Sequence, residues 1–291
     1  MRQRSILLLS LILTFISCKK TQDYSCQGCG QTPDKLLSRV VYPDPFISGI
    51  YNVQVFSYDQ FKRCTKIETG IIDSTATTPS FTVNTSYTFY YAGANKNPLY
   101  MERRTPNVFP NIPKPFYFKF DNQGKKLKDS VRSVISQTQY SEKIINIDRT
   151  GSTIITTPQY LNQSLDNSNF DTLSIRNDNI ESIQSKIYRQ SGNHQYMLDE
   201  FGYDQSINPF NKINISESFL FTNSSVGYNF LGPGLTRYIG FNRNNCTGYS
   251  TDGKIQTSIQ YSYDKDQYPL IAVATYQGST YKQVAYFEYQ P

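Results

Sequence analysis

Apolar and polar residues alternate along this chain in short runs, and each run stops at a cluster of turn-forming residues. Val53-Gln54-Val55-Phe56-Ser57-Tyr58, Phe116-Tyr117-Phe118-Lys119-Phe120 and Ile259-Gln260-Tyr261-Ser262-Tyr263 all follow this pattern. A period of two places alternate side chains on one face of a strand. Tyr, Phe and Thr fit such a half-buried pleated surface, and this chain has 24 Tyr and 18 Phe. Helical spacing is found only weakly, at 129–139 and 178–188. The pattern predicts an all-β fold of antiparallel β-meander sheets with few short helices.

Self-similarity sharpens this reading. The segments 53–70, 116–130, 198–213 and 259–278 share one unit: alternating aromatics, an aromatic-Asp pair, four to six polar residues and a second short strand. The pairs are Tyr58-Asp59, Phe120-Asp121, Tyr203-Asp204 and Tyr263-Asp264. A fifth segment, 87–105, lacks the acidic residue. The aspartate ends the strand and its carboxylate accepts backbone N–H groups within the turn. Gly124 tolerates positive φ, and Pro98, Pro209 and Pro269 fix the start of each returning segment. Each unit is a predicted β-hairpin. Hairpins in series make a meander whose open edges need covering.

The N-terminus follows a different logic. Arg2 and Arg4 precede an apolar run, 6–16, that is too short to span a bilayer and fits the core of an export signal. Phe15-Ile16-Ser17-Cys18 resembles the lipobox of bacterial lipoproteins, with Phe15 where Leu or Val is usual. The resemblance implies cleavage after residue 17 and acylation of the Cys18 thiol. Lys19-Lys20 after that cysteine resembles lipoproteins of the Bacteroidota. The repeat also resembles β-meander lipoproteins of that phylum with degenerate YD-type repeats, as in Tyr261-Ser262-Tyr263-Asp264 followed by Pro269. It implies an outer-membrane location and β architecture, and it brings no catalytic motif. The expected organisation is a signal at 1–17, a lipidated tether at 18–45 and a β-rich domain at 46–291. A polar stretch at 150–169 is the candidate subdivision.

Four cysteines besides Cys18 remain: Cys26, Cys29, Cys64 and Cys246. Exported chains permit disulfides, and three pairings exist. Cys26–Cys29 with Cys64–Cys246 is the simplest. Cys26 and Cys29 form a C-x-x-C, but the adjacent Gly28 and Gly30 argue for a turn rather than the helix start a redox site needs.

Charge and composition narrow the function. Removing residues 1–17 takes Arg2 and Arg4, so the net charge falls from +6 to +4. That small excess is no nucleic-acid footprint. The densest mature cluster, Lys125, Lys126 and Lys128, reads as a solvated loop. His194 is the sole histidine, and no G-x-S-x-G surrounds a serine, which argues against triad chemistry. One histidine and scattered cysteines do not make a metal site, and no cofactor motif is found. Residues 166–171 are oxygen-rich but lack the glycine and terminal glutamate of a calcium loop. Paired carboxylates, Asp199 with Glu200 or Asp264 with Asp266, leave a glycan-active enzyme as the alternative. The resemblance to exported Bacteroidota proteins further implies O-glycosylation at Ser74, Ser130 and Thr172, each after an aspartate. The leading expectation is a non-catalytic envelope module, held to the membrane by lipid, that binds a glycan or an envelope protein.

Overall fold

The computed structural model describes residues 35–44, 46–106, 114–134, 140–161, 170–188, 194–211, 242–280 and 282–290. Its strands are β1 (Leu36–Pro43), β2 (Ile50–Tyr58), β3 (Cys64–Asp73), β4 (Phe81–Tyr91), β5 (Pro98–Arg104) and β6 (Lys114–Phe120). β7 (Lys126–Val134), β8 (Tyr140–Thr150), β9 (Thr153–Leu161), β10 (Phe170–Arg176) and β11 (Asn179–Tyr188) follow. The last are β12 (His194–Ile207), β13 (Asn244–Thr251), β14 (Lys254–Tyr263), β15 (Pro269–Tyr276) and β16 (Lys282–Gln290). No helix occurs among the described residues.

Every strand pairs antiparallel with its sequence neighbour, and β16 pairs with β1 to close a barrel. Closure removes the open edges that a meander would otherwise expose. β1 starts at Leu36, inside the 18–45 stretch, and is part of this sheet. The strands on both sides of residues 150–169 belong to the same closed sheet. The two weak helical patterns overlap β7 and β11, and residues 135–139 of the first lie outside the described residues. On those strands, cross-strand partners override a local spacing that was never strongly helical.

The repeat has a common geometry at one end of the barrel, where each even strand turns into the next odd one. In six of these hairpins one residue near the start of the odd strand is unopposed: Thr65, Leu99, Leu127, Glu181, Thr247 and Leu270. Ser38 is the equivalent residue where β1 meets β16. The β8–β9 hairpin alone pairs without a shift. Such bulges bend the strand and increase its right-handed twist, which helps a long sheet curl onto itself.

Each bulge disturbs the ladder beside one backbone carbonyl, and tyrosine hydroxyls from the next strand reach those carbonyls. Tyr58 donates to the Leu37 carbonyl at 2.8 Å, Tyr91 to Cys64 at 2.7 Å and Tyr203 to Ile180 at 2.8 Å. Tyr261 donates to Cys246 at 3.0 Å and Tyr289 to Pro269 at 2.8 Å. Burial pushes the pKa of all five phenols upward, so they remain protonated donors. Their rings pack against the core cluster formed by residues such as Leu37, Val40, Phe56, Met101 and Phe287. Phe210, just beyond β12, lies 6.3 Å from Phe56 and 6.1 Å from Phe287, and so joins walls that are far apart in the strand order. A second cluster of Ile145, Ile147, Ile154, Leu173, Ile180 and Ile183 fills the β8–β11 side.

Removing a capping hydroxyl leaves a buried carbonyl short of a donor, at a cost of about 1–3 kcal/mol. Tyr203→Phe and Tyr58→Phe are each expected to lower stability by about that amount in urea unfolding, with m unchanged. Tyr117→Phe, on an exposed outer position, is expected to change little.

Candidate functional site

Three of the aspartates form one turn. In 59–63, 121–125 and 264–268 the Asp N–H donates to the carbonyl four residues on, and its own carbonyl accepts from the residue three on. That third residue has positive φ: Lys62 at 59°, Gly124 at 79° and Gln267 at 65°. The carboxylate accepts backbone N–H groups two and four residues ahead. Asp204 is different. It lies inside β12, where the register shifts between Tyr203 and Ile207, and not in a hairpin loop. It accepts N–H groups from Ser206 and Asn245 and the hydroxyl of Tyr263, so the expected turn role is corrected to a strand irregularity. The short polar spacing before Pro209 hid this from the sequence pattern.

Cations lock these loops together. Arg63 is bonded to Asp59 and also reaches the carbonyls of Gly93 and Asn95, at 2.6 and 2.8 Å, in the loop that lacks an aspartate. Lys35 bonds Asp264 at 2.6 Å and Asp266 at 2.7 Å, which pins the start of β1 to the β14–β15 loop. Burial alone would raise the Asp59 and Asp264 carboxyls. Arg63 or Lys35, with the backbone N–H groups, outweighs it and holds both below the usual carboxylate range. The candidate carboxylate pairs are therefore occupied otherwise. Asp264 and Asp266 grip one lysine. Asp199 and Glu200 are neighbours on a strand and face opposite sides of the sheet, with Asp199 accepting from Thr251 at 2.6 Å.

Lys126 also departs from expectation. It is fully buried inside the barrel, with its ammonium 2.7 Å from Asp129 and 4.7 Å from the Phe118 ring centroid. The bulge at Leu127 turns Lys126 inward while Lys125 and Lys128 stay outside, a distinction that a run of lysines does not reveal.

Cys64 and Cys246 are buried free thiols, so the pairing expected between them is not made. They hold equivalent positions on β3 and β13, before the bulged residue, and their thiols donate to the carbonyls of Lys66 and Gly248. Burial raises both thiol pKa values, Cys246 to about 12. Cys18, Cys26 and Cys29 lie outside the described residues. Ser74 sits in an exposed turn and donates to the Gly49 carbonyl, while Ser130 and Thr172 lie on the outer faces of β7 and β10. His194 opens β12. Asp171 is on β10, and the rest of the candidate calcium loop lies outside the described residues. Among the described residues no group of three metal-ligating side chains converges.

The wall itself is the informative surface. Inward positions of the two core clusters are apolar and closed to water, with Val40, Met101, Leu173, Ala272 and Ala285 0% exposed, and the inner face also buries polar side chains such as Gln54, Lys126, Asp129, Thr257 and Gln283. Outward positions on β4 to β14 are chiefly polar, including Thr88, Glu102, Lys119, Gln184, Glu200 and Gln260. A tyrosine ladder crosses β4 to β6 on this outer face. Tyr90 and Tyr100 stack at 4.3 Å, and Tyr100 meets Tyr117 at 5.9 Å, beside Glu102 and Arg104.

No family model and no curated protein matches this chain. Among solved structures it is similar to a porin-like protein of Bacteroides vulgatus, at TM-score 0.53 and 11% identity over 88% of this chain and 99% of that one. It is also similar to a porin-like protein of Bacteroides uniformis, at TM-score 0.56 and 8% identity over 87% and 98%. At such identities the likeness is one of fold.

Two outcomes follow. The Asp59 and Asp264 carboxyls titrate lower folded than unfolded, so their stabilisation is present above the unfolded value near ~4 and is lost as pH falls through the folded values. Acid unfolding midpoints should therefore move less with pH in the Asp59→Asn, Asp264→Asn double variant than in the parent. Thiol labelling read by peptide mass should leave Cys64 and Cys246 unmodified in the native protein and modify both in denaturant.

Proposed function

We propose that this chain is a non-catalytic lipoprotein of the cell envelope, anchored through Cys18, whose barrel stands in water and binds a glycan or protein partner with its outer wall. The observation that carries this reading is the polarity of the wall. A barrel that spans an outer membrane turns an apolar band about 25 Å tall outward and polar residues inward. This barrel instead carries two clusters of aromatic and aliphatic side chains inside, beside buried polar groups such as the Lys126–Asp129 pair, and charged or hydroxylated side chains over most of the outside. A fold shared with porin-like proteins is thus put to a different use, as folds commonly are. The anchor supplies the membrane attachment that the wall does not. The lipobox-like Phe15-Ile16-Ser17-Cys18 supports it, as do the polar residues between Cys18 and Lys35.

The partner-facing region is the tyrosine ladder on β4 to β6. Tyrosine offers large contact area at low entropic cost, and its flanking Glu102, Arg104 and Lys119 supply hydrogen bonds. Tyr117 is 53% exposed, so its ring is open to a partner.

Changing Cys18 separates the anchor from the barrel. With Cys18→Ala and residues 1–17 replaced by a secretory signal that is cleaved without a cysteine, the protein should leave the membrane fraction on washing without detergent and remain folded. A Cys18→Ala protein that still needed detergent for extraction would show that the strands themselves cross the bilayer, and the proposal would fail.

A further inference from the structure

One sector of the outer wall breaks the polar rule. On adjacent strands the outward positions are Ile271 and Val273 of β15, Val284 and Tyr286 of β16, and Val41 of β1. The stripe continues through Val53 and Tyr51 of β2 and Ile72 of β3 to Phe81 of β4. Gly70 sits within it, opposite Val53. The Phe81 ring lies over it, with Cε2 2.8 Å from where a β-carbon would stand, so the stripe is continuous across the glycine. Val53 is itself buried at 2% exposure, although it faces away from the core cluster. At the far end of the stripe, the β1–β2 turn presents Phe46 at 91% exposure and Ile47 at 57%. The rim is charged, with Arg39 facing Glu288 and Lys66 facing Glu68.

A contiguous apolar surface of this kind marks a place where something else sits. We infer that this wall, with Phe46 and Ile47 at its tip, is the face on which the barrel lies against the bilayer that holds its anchor. The inference rests on the Cys18 anchoring proposed above.

Chain length and position favour the bilayer over other occupants. The stripe is centred on β1, the first strand after the tether. Seventeen peptide units separate Cys18 from Lys35, with a reach of at most roughly 60 Å. β1 has 8 residues, roughly 26 Å from end to end. Every part of the stripe is thus within reach of the membrane, which a short tether keeps at high effective concentration. The chemistry is that of an interface. Tyr51 and Tyr286 place amphipathic rings where headgroups meet acyl chains, and Arg39 and Lys66 can extend their charges outward from apolar stems. Phe46 and Ile47 supply the group that enters the acyl boundary. Lying on this wall leaves the tyrosine ladder free for a partner.

The chain contains no tryptophan, so a single introduced indole reports one position. Full-length Phe46→Trp, Tyr286→Trp and Tyr196→Trp proteins are purified from membranes and placed in phosphatidylethanolamine–phosphatidylglycerol vesicles. Tyr196 is exposed on β12, outside the stripe. The inference predicts that emission of the first two shifts to shorter wavelength and is quenched by brominated acyl chains, while Tyr196→Trp keeps the emission of an indole in water. Intact mass reads the acyl group in the same samples. Acylated protein with all three indoles in water would overturn the docking face and leave the anchor standing. Protein without acyl mass would overturn the anchor itself. A shorter-wavelength emission without vesicles, growing with protein concentration, would make the stripe a contact between two copies and overturn the bilayer as its occupant.

Discussion

The barrel depends on a bond between a buried tyrosine hydroxyl and a backbone carbonyl beside a bulge. A sheet of sixteen strands must coil steadily for its first and last members to meet. One bulge near the start of seven of the eight odd strands contributes that coil. A bulge interrupts the ladder, and an interrupted ladder inside an apolar core costs free energy unless the freed groups find partners. Tyr58, Tyr91, Tyr203, Tyr261 and Tyr289 supply the donor from the adjacent strand and bury an aromatic ring in the same act. The high tyrosine content thus has a structural use that precedes any binding role. Tyrosine is the side chain that fills an aromatic core position and can still donate a hydrogen bond.

Polar bonds brace loops at the same end of the barrel. Asp59, Asp121 and Asp264 set three matching turns, Arg63 extends one of them to a neighbouring loop, and Asn97 donates to the Gly124 carbonyl to reach the next. Lys35 ties the start of β1 to the β14–β15 loop.

The sequence was most legible where the signal was local. Alternation identified strands such as β6 and β14, and the aromatic-Asp unit located three of the tight turns. The proline after each polar run marked the start of β5 and β15 correctly. What was hidden depended on pairing partners far along the chain. Nothing near Leu36 announces that β1 meets β16. A single unopposed residue reverses the face of its neighbours, so Lys126 read as loop although it lies inside the core beside Asp129. Asp204 carries the same dipeptide signature as the turn aspartates but sits inside a strand, because Asn245 and Tyr263, distant in sequence, supply its partners. The equivalence of Cys64 and Cys246 invited a bridge. The structure shows that they occupy the same place in two different hairpins and are not partners.

The central claim is that the barrel wall packs its apolar clusters inside and, over most of its circumference, meets water outside. Spin labels on Ser57, Lys119, Gln184 and Gln260, four exposed outward positions around the wall, test it directly in vesicles holding the full chain with Cys26 and Cys29 changed to serine. The account predicts that a water-soluble nickel complex relaxes all four labels strongly and that oxygen dissolved in the bilayer does so weakly. Labels relaxed chiefly by oxygen and shielded from nickel would place the wall in lipid and contradict it.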